Sequence, residues 1–250
     1  MNKVLLALAG FVSAGLALNT APAWGVEKAA TAKAASRKPA AKKPAARKKP
    51  AVAPAKTSDE IALAQSEDAT RVSAWVAASG DNHALPYAIV DKKSASLLLF
   101  DATGKQVAHV PVLLGIAPGD DASPGIGSKN LSEIGPAEKT TPAGRFLAKF
   151  GVAAGKQRVL WVDYATSVAL HPIPKPGKPK EKRRERMLSP AIDDNRITFG
   201  CINVPIAFYT RNLSPMFAKK GGYVYVTPDV KALEDVFPRI RIQSFANTGG

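Results

Sequence analysis

The chain has 250 residues, with 35 lysines and arginines against 20 aspartates and glutamates, which gives a formal net charge of +15 at pH 7. Its single cysteine, Cys201, cannot form an internal disulfide, which excludes a disulfide-rich scaffold and a zinc site built on several thiolates. With 46% hydrophobic residues, the composition is globular on average and excludes disorder along the whole length.

The N-terminus, residues 1–23, is predicted to be an export signal. Lys3 precedes an uncharged apolar run at 4–18, and the sequence APA that follows suits cleavage after Ala23. The alternatives are a buried core helix and a retained membrane anchor. The run is shorter than the roughly 18 residues of a full membrane span, and no membrane span is expected elsewhere in the chain. Export would place the protein in the periplasm or cell envelope, where Cys201 has no partner in an oxidising compartment.

Residues 24–57 form a low-complexity tract of alanine, lysine and proline. Repeated prolines interrupt any helix, and like charges extend the chain, so we expect a disordered basic linker. This linker is either a solvated spacer or a weak electrostatic adhesive for an anionic cell-envelope polymer. Nucleic acid is not expected as a partner if the chain is exported, but DNA binding returns as an option if it is not. The excess charge of the remaining chain lies in one basic loop at 175–186, so the body is neutral.

A helical lead-in is predicted over 58–83, followed by a mostly β domain over 84–250. Thr57 or Ser58 would cap the helix, with acidic residues in its first turn. The region 117–143 is rich in Gly, Pro, Asp and Ser and is predicted to be a long functional loop. Short β-rich runs are expected at 87–91, 96–100, 106–115, 145–151, 158–163, 167–171 and 223–227, and helices at 206–217 and 228–237.

The lone cysteine lies in the segment RITFGCINV at 196–204. Gly200 permits tight backbone geometry and close approach of a substrate. Pro205 is expected to open a helix, whose dipole would favour the thiolate of Cys201. The alternative is that Cys201 is a buried structural cysteine that acts as a small hydrophobe.

A cysteine nucleophile also needs a base, and the chain offers three histidines. His171 ends the apolar run SVALH, from which it would project at the edge of a sheet. His109 lies within a strand pattern and is interpreted as a packing or surface residue. His83 lies in a loop without supporting context. The sequence therefore favours His171 as the partner of Cys201.

Three features of the chain resemble those of a known family. The segment TFGCIN at 198–203 resembles the Ser/Thr-His-Gly-Cys-aliphatic-Asn signature of L,D-transpeptidases of the YkuD type. The segment TPAGRF at 141–146 is similar to the Thr-Pro-x-Gly-x-Phe segment of those domains, where it would set a turn near the cleft. His171 falls where the family places its general base. The resemblance covers roughly 84–228.

The resemblance implies a mostly β fold, a sandwich or barrel with a few short helices, that acts on peptidoglycan stem peptides. Cys201 would attack the carbonyl that joins the L-centre of the third residue to the terminal D-Ala of a tetrapeptide. His171 would take the thiol proton, and backbone amides around Gly200 and Cys201 would stabilise the oxyanion. The thioester would pass to an amine of a second stem peptide. The resemblance implies no metal and no organic cofactor.

Three features depart from the family pattern. Phe199 stands where the signature often has a second histidine, and Pro172 follows the base, where its carbonyl can still orient the imidazole. The interval between His171 and Cys201 is longer than is usual in the family. The excess is the basic, proline-rich stretch 174–190, which is either a solvated loop or a lid that recognises substrate carboxylates.

Other residues near the nucleophile carry smaller predictions. Arg196 would bind a substrate carboxylate or make structural hydrogen bonds. Asn203 is expected to shape the nucleophile loop, with substrate contact as the alternative, and Thr198 to support the turn. Asp120 and Asp121 are adjacent in the long loop and are expected to point apart rather than to act as an acid–base pair.

Two alternatives to transpeptidation follow from the same residues. The first is hydrolysis, by a carboxypeptidase or an enzyme that cleaves links to the wall, because only the acceptor differs. The second is a non-catalytic protein that binds the cell wall or a polyanion through its basic linker, with Phe199 marking a decayed site.

Overall fold

The computed structural model describes residues 63–153, 156–174 and 179–241, all within one compact unit that spans 53–250. The predicted signal at 1–23, the linker at 24–57 and the predicted helix cap lie outside the described residues. The first helix, α1, is Glu67–Ser79, and the residues directly before it, 63–66, are not helical.

The start of α1 is set by Ser66 rather than by the earlier hydroxyls. The Ser66 side chain accepts a hydrogen bond from the Ala69 amide, as an N-cap does. Ser66 also donates its amide and hydroxyl to the carboxylate of Asp91, at 2.7 and 2.8 Å. These bonds fix the beginning of the helix to the sheet. Gly80, at φ +66°, ends the helix in the left-handed conformation that glycine adopts without strain.

The described residues contain ten strands, which confirms the mostly β prediction. The large sheet has eight strands in the order β3-β2-β1-β10-β5-β6-β7-β9, and β4 pairs with β8 in a small second sheet. Strand bounds are β1 Tyr87–Asp91, β2 Ser96–Phe100, β3 Gln106–Pro111, β4 Leu114–Gly115, β5 Gly144–Val152, β6 Arg158–Asp163, β7 Val168–Pro172, β8 Arg196–Thr198, β9 Ile202–Val204 and β10 Gly222–Val226.

The large sheet is nearly closed on itself. Leu113, just beyond the end of β3, exchanges two backbone hydrogen bonds of 2.9 Å with Asn203 of β9. The first and last strands of the sheet are thereby brought together, as in a barrel. The apolar side chains on the inner face form the main core, with Leu97, Leu170 and Val224 among its fully buried members.

Short helices cover both faces of the sheet. The helix predicted over 206–217 forms as three consecutive segments: α3 (Ile206–Phe208), a π-helical turn (Tyr209–Leu213) and α4 (Ser214–Phe217). On the outer face, Trp75 of α1 packs edge-on against Tyr225, with ring centroids 6.0 Å apart. The helix predicted over 228–237 is confined to α5, Leu233–Val236. Among the described residues, no helix is long and apolar enough to cross a membrane.

The described part of the basic stretch between β7 and β8 contains two short helical segments. Pro179–Glu181 forms a 3₁₀ turn and Arg183–Met187 forms the short helix α2. Met187 is only 3% exposed, so α2 is anchored in the body of the protein. The region 117–143, predicted as a loop, contains three 3₁₀ turns, each of three residues.

Candidate active site

Two adjacent parallel strands bring the predicted nucleophile and base to one face of the sheet. In the register of β7 and β9, Leu170 lies beside Ile202 and His171 beside Asn203. Cys201 directly precedes β9, and because side chains alternate along a strand, it shares a face with Asn203 and with His171. The candidate pair is therefore offset by two residues along neighbouring strands.

The thiol of Cys201 lies in a partly exposed recess. Its Sγ atom donates to the Ser167 carbonyl at 3.7 Å, and Ser167 has a φ of +58°. Burial raises the pKa of the Cys201 thiol, while the nearby Ala169 amide and the charge of Arg183 act in the opposite direction. Within the described part of the chain, no hydrogen bond joins this thiol to the His171 ring.

The orientation of His171 is set by the residue that follows it. Its Nδ1 atom lies 2.9 Å from the Pro172 carbonyl, which can only accept, so Nδ1 carries the proton. Nε2 is left with a free electron pair, and the Asn203 amide nitrogen lies 3.2 Å from it. Burial lowers the pKa of His171; the bond to Pro172 opposes that shift and the charge of Arg183 adds to it. The neutral form, which can act as a base, is favoured.

The turn before the nucleophile depends on Gly200. This residue has a φ of +120°, and a Cβ atom at this position would lie 2.7 Å from the Thr140 carbonyl oxygen. The Thr198 hydroxyl accepts from the Gly200 amide at 3.2 Å and donates to the Cys201 carbonyl at 2.6 Å. The sequence suggested the amides of Gly200 and Cys201 as oxyanion donors. Because the Gly200 amide is occupied, the Cys201 amide is the remaining candidate.

Thr141 connects the predicted turn segment 141–146 to the nucleophile. Its hydroxyl accepts from the Gly115 amide and donates to the Gly200 carbonyl, both at 2.9 Å. This side chain is buried. The segment therefore positions the backbone beside the cysteine through a side chain as well as through a turn.

Arg196 belongs to an ionic network. Of its two predicted roles, substrate binding and structural hydrogen bonding, these contacts agree with the structural one. Its Nη2 atom pairs with the Asp229 carboxylate at 2.7 Å. Asp229 also lies 3.3 Å from the buried ammonium of Lys92, which binds Asp120 at 2.8 Å. Asp121 instead forms an exposed pair with a surface lysine, so the two aspartates point apart as expected.

Phe199 is 40% exposed beside the nucleophile. The ammonium of Lys139 lies 3.8 Å from the centroid of its ring, a cation–π contact. The position where the resemblance expects a histidine thus presents an aromatic face with a cation above it.

The other two histidines are not brought to Cys201. His109 Nε2 lies 2.8 Å from the Ser96 hydroxyl on the neighbouring strand, and the His83 ring packs against Tyr223. In the described ranges, no group of three or more His, Cys, Asp or Glu side chains is arranged to hold a metal ion.

Sequence reasoning missed one residue at this site, Arg183 of α2. Its Nη1 atom donates to the Asn203 side-chain oxygen at 2.6 Å, and its Nε atom donates to Glu181 at 2.6 Å. The sequence offers no signal that distinguishes Arg183 from the other basic residues of the same run.

Comparisons with known proteins give little sequence similarity. No family model and no curated protein matches the chain. The solved structures similar to it include an L,D-transpeptidase from Xylanimonas cellulosilytica DSM 15894 (16% identity, TM-score 0.33, 57% of this chain) and Bd1075 from Bdellovibrio bacteriovorus (13%, 0.37, 67%). The matches span 60% and 58% of those chains, less than two thirds of either.

Proposed function

We propose that the protein is a cysteine-dependent acyltransferase of the L,D-transpeptidase type, acting on peptidoglycan stem tetrapeptides. The observation that carries the proposal is the placement of Cys201 and His171 at neighbouring strand ends, with His171 Nδ1 bound to the Pro172 carbonyl. This arrangement offers a thiol and an unprotonated imidazole nitrogen on one face of the sheet. The motifs around 141–146 and 198–203 supply the substrate class through their resemblance to that family.

In the first step, the Cys201 sulfur attacks the carbonyl between the third residue and the terminal D-Ala. A carbon–sulfur bond forms as His171 Nε2 takes the thiol proton. The Cys201 amide stabilises the negative charge on the carbonyl oxygen. The carbon–nitrogen bond to D-Ala then breaks, and His171 returns the proton to the leaving amine.

In the second step, the thioester passes to an acceptor. The side-chain amine of another stem peptide attacks the thioester carbonyl, His171 removes a proton from that amine, and the Cys201 thiol is released. The product is a cross-link between the third residues of two stem peptides. Another amine, such as a free D-amino acid or an amine of an envelope protein, would be joined in the same way.

The arrangement of the Cys201 and His171 side chains must change before the first step. The thiol bonds to the Ser167 carbonyl, and the Asn203 amide is near His171 Nε2. A rotation of the cysteine side chain, with displacement of that amide, brings sulfur and nitrogen together. Such bonds often tighten only when the substrate is bound.

The proposed setting is the periplasm or cell envelope. Export through residues 1–23 would deliver the protein to its polymer, and the basic linker at 24–57 would hold it near anionic wall components. Both segments lie outside the described residues, and their roles rest on the sequence alone.

A product assay tests the proposal. The purified, reduced protein is incubated with disaccharide-tetrapeptide muropeptides beside the Cys201→Ala variant, and the products are identified by mass spectrometry. Cross-linked dimers formed only by the native protein would support transpeptidation. Tripeptide and free D-Ala without dimers would favour the hydrolase. A folded protein that turns over nothing would favour the non-catalytic wall-binding alternative.

A further inference from the structure

The most informative feature outside the proposed catalytic pair is a chain of contacts that runs from the basic insert into the site. Glu181 binds Arg183, Arg183 binds Asn203, and Asn203 contacts His171. The Arg183 side chain is only 15% exposed although it belongs to a strongly basic surface stretch. A guanidinium held this way does not serve merely as surface charge.

The contact between Arg183 and Asn203 determines how the asparagine amide is oriented. A guanidinium only donates hydrogen bonds, so the atom 2.6 Å from Arg183 Nη1 must be the Asn203 oxygen. The amide NH₂ group must then face the imidazole, where its nitrogen lies 3.2 Å from Nε2 and 3.5 Å from Nδ1. A donor group this close to both ring nitrogens is compatible with the neutral ring and conflicts with the imidazolium, in which both nitrogens donate.

A second contact acts on the same ring from the other side. The Pro172 carbonyl accepts from His171 Nδ1 at 2.9 Å, which requires the proton there. The Asn203 contact favours the neutral imidazole, and the Pro172 contact selects its tautomer. The charge of Arg183 further disfavours the imidazolium and favours a thiolate at Cys201, and it is the charged group that acts on both.

We propose that Arg183, supplied by the insert, is a positioning residue that orients Asn203 against the His171 ring and thereby keeps His171 neutral, while the Pro172 carbonyl holds its proton on Nδ1. The insert is then part of the catalytic apparatus rather than a solvated loop or a lid that only recruits substrate. Glu181 fixes the guanidinium from the side opposite Asn203. The inference rests on the proposed function for its catalytic meaning, but its physical content is independent of the substrate.

The direct test is the titration of the three histidines in the intact protein, followed by NMR of the ring nitrogens. His171 is assigned by comparison with a His171→Gln variant. The native protein should show the Nδ1–H tautomer of His171 above its titration midpoint. Finding the Nε2–H tautomer would overturn the proposal without any variant at the insert.

The matched variants are Arg183→Gln and Arg184→Gln, which remove the same charge from neighbouring positions of α2. Arg184 is exposed, and the guanidinium that donates to Asn203 is that of Arg183. Arg183→Gln should raise the His171 midpoint, leave those of His83 and His109 unchanged, and slow alkylation of Cys201 by iodoacetamide at pH 7 severalfold. Arg184→Gln should leave both readouts close to those of the native protein. Equal effects of the two variants, or no effect of Arg183→Gln, would overturn the proposal.

An Arg183→Lys variant keeps the charge and replaces the planar fork by a single ammonium. Its His171 midpoint should lie between those of the native and Arg183→Gln proteins, because part of the effect is the oriented hydrogen bond. None of these readouts needs turnover. If the proteins process no muropeptide but titrate as expected, the proposed function fails and this inference stands.

Discussion

Replacing Gly200 by alanine tests the geometry of the nucleophile turn. The φ of +120° is strained for any residue with a side chain, at a cost of ~1–3 kcal/mol. The new Cβ atom would also lie 2.7 Å from the Thr140 carbonyl oxygen, and that backbone is held by Thr141. Overpacking of this kind adds ~1–3 kcal/mol. We therefore expect Gly200→Ala to lower the free energy of unfolding by about 3 kcal/mol.

The control is Gly125→Ala, because Gly125 also has a positive φ, +73°, but a Cβ atom there meets nothing within 4 Å. For a domain of this size, about 1 kcal/mol corresponds to a shift in Tm of roughly 2–4 °C. Gly200→Ala should lower the Tm by roughly 6–12 °C in a thermal melt followed by circular dichroism, and Gly125→Ala by clearly less. A Gly200→Ala protein as stable as Gly125→Ala would refute the crowding argument.

Three further predictions concern the buried polar groups and the thiol. Lys92→Met should destabilise the fold by ~3 kcal/mol in urea titration, because it leaves the buried Asp120 carboxylate without its cation and Asp229 paired with Arg196 alone. No change would mean that the remaining partners of the two carboxylates suffice. Burial acts to raise the pKa of Asp120, but hydrogen bonds from Lys92 and three backbone amides outweigh it and lower this pKa from 3.8 to about 2. The stability that the Asp120 carboxylate contributes is therefore present above its unfolded pKa and is lost as the pH falls through that interval. An Asp120→Asn variant should lack this part of the pH dependence, and an unchanged acid profile would contradict the assignment. Because burial raises the pKa of Cys201, its alkylation rate should reach half-maximum at a higher pH than that of a free cysteine derivative, and a thiolate at neutral pH without substrate would contradict this.

The strands of the sheet were predictable because their signal is local. The runs at 87–91, 96–100 and 158–163 have the bounds of β1, β2 and β6, since each is an apolar or alternating run bounded by turn residues. Strands β8 and β9 were missed because each has only three residues. They flank the nucleophile turn, where no periodicity can develop.

The beginning of the first helix shows how tertiary contacts override a local signal. A hydroxyl followed by acidic residues occurs at 57–60 and again at 66–68. Ser66 is bound to the sheet through the carboxylate of Asp91, and the helix begins directly after it. Sequence spacing alone does not choose between two such caps.

The residues of the candidate site that belong to a sequence motif were predictable. The residue that reaches the site only through a long-range contact was not. His171 and Cys201 were selected from their sequence contexts, and the structure places His171 on β7 and Cys201 directly before the adjacent strand β9. The role of the site residues stays a prediction. The contact of Arg183 with Asn203 joins residues that are 20 positions apart, and it depends on how the insert folds back onto the sheet. Nothing local in a run of basic residues encodes such a contact.

The central claim, that Cys201 is an acylated nucleophile, is tested most directly by intact-mass spectrometry of the protein mixed with disaccharide tetrapeptide. We expect an adduct whose mass equals that of the donor less its terminal D-Ala. It should be located on Cys201 by peptide mapping and be absent from Cys201→Ala. A folded native protein that releases D-Ala without any adduct on Cys201, or an adduct that persists in Cys201→Ala, would contradict it.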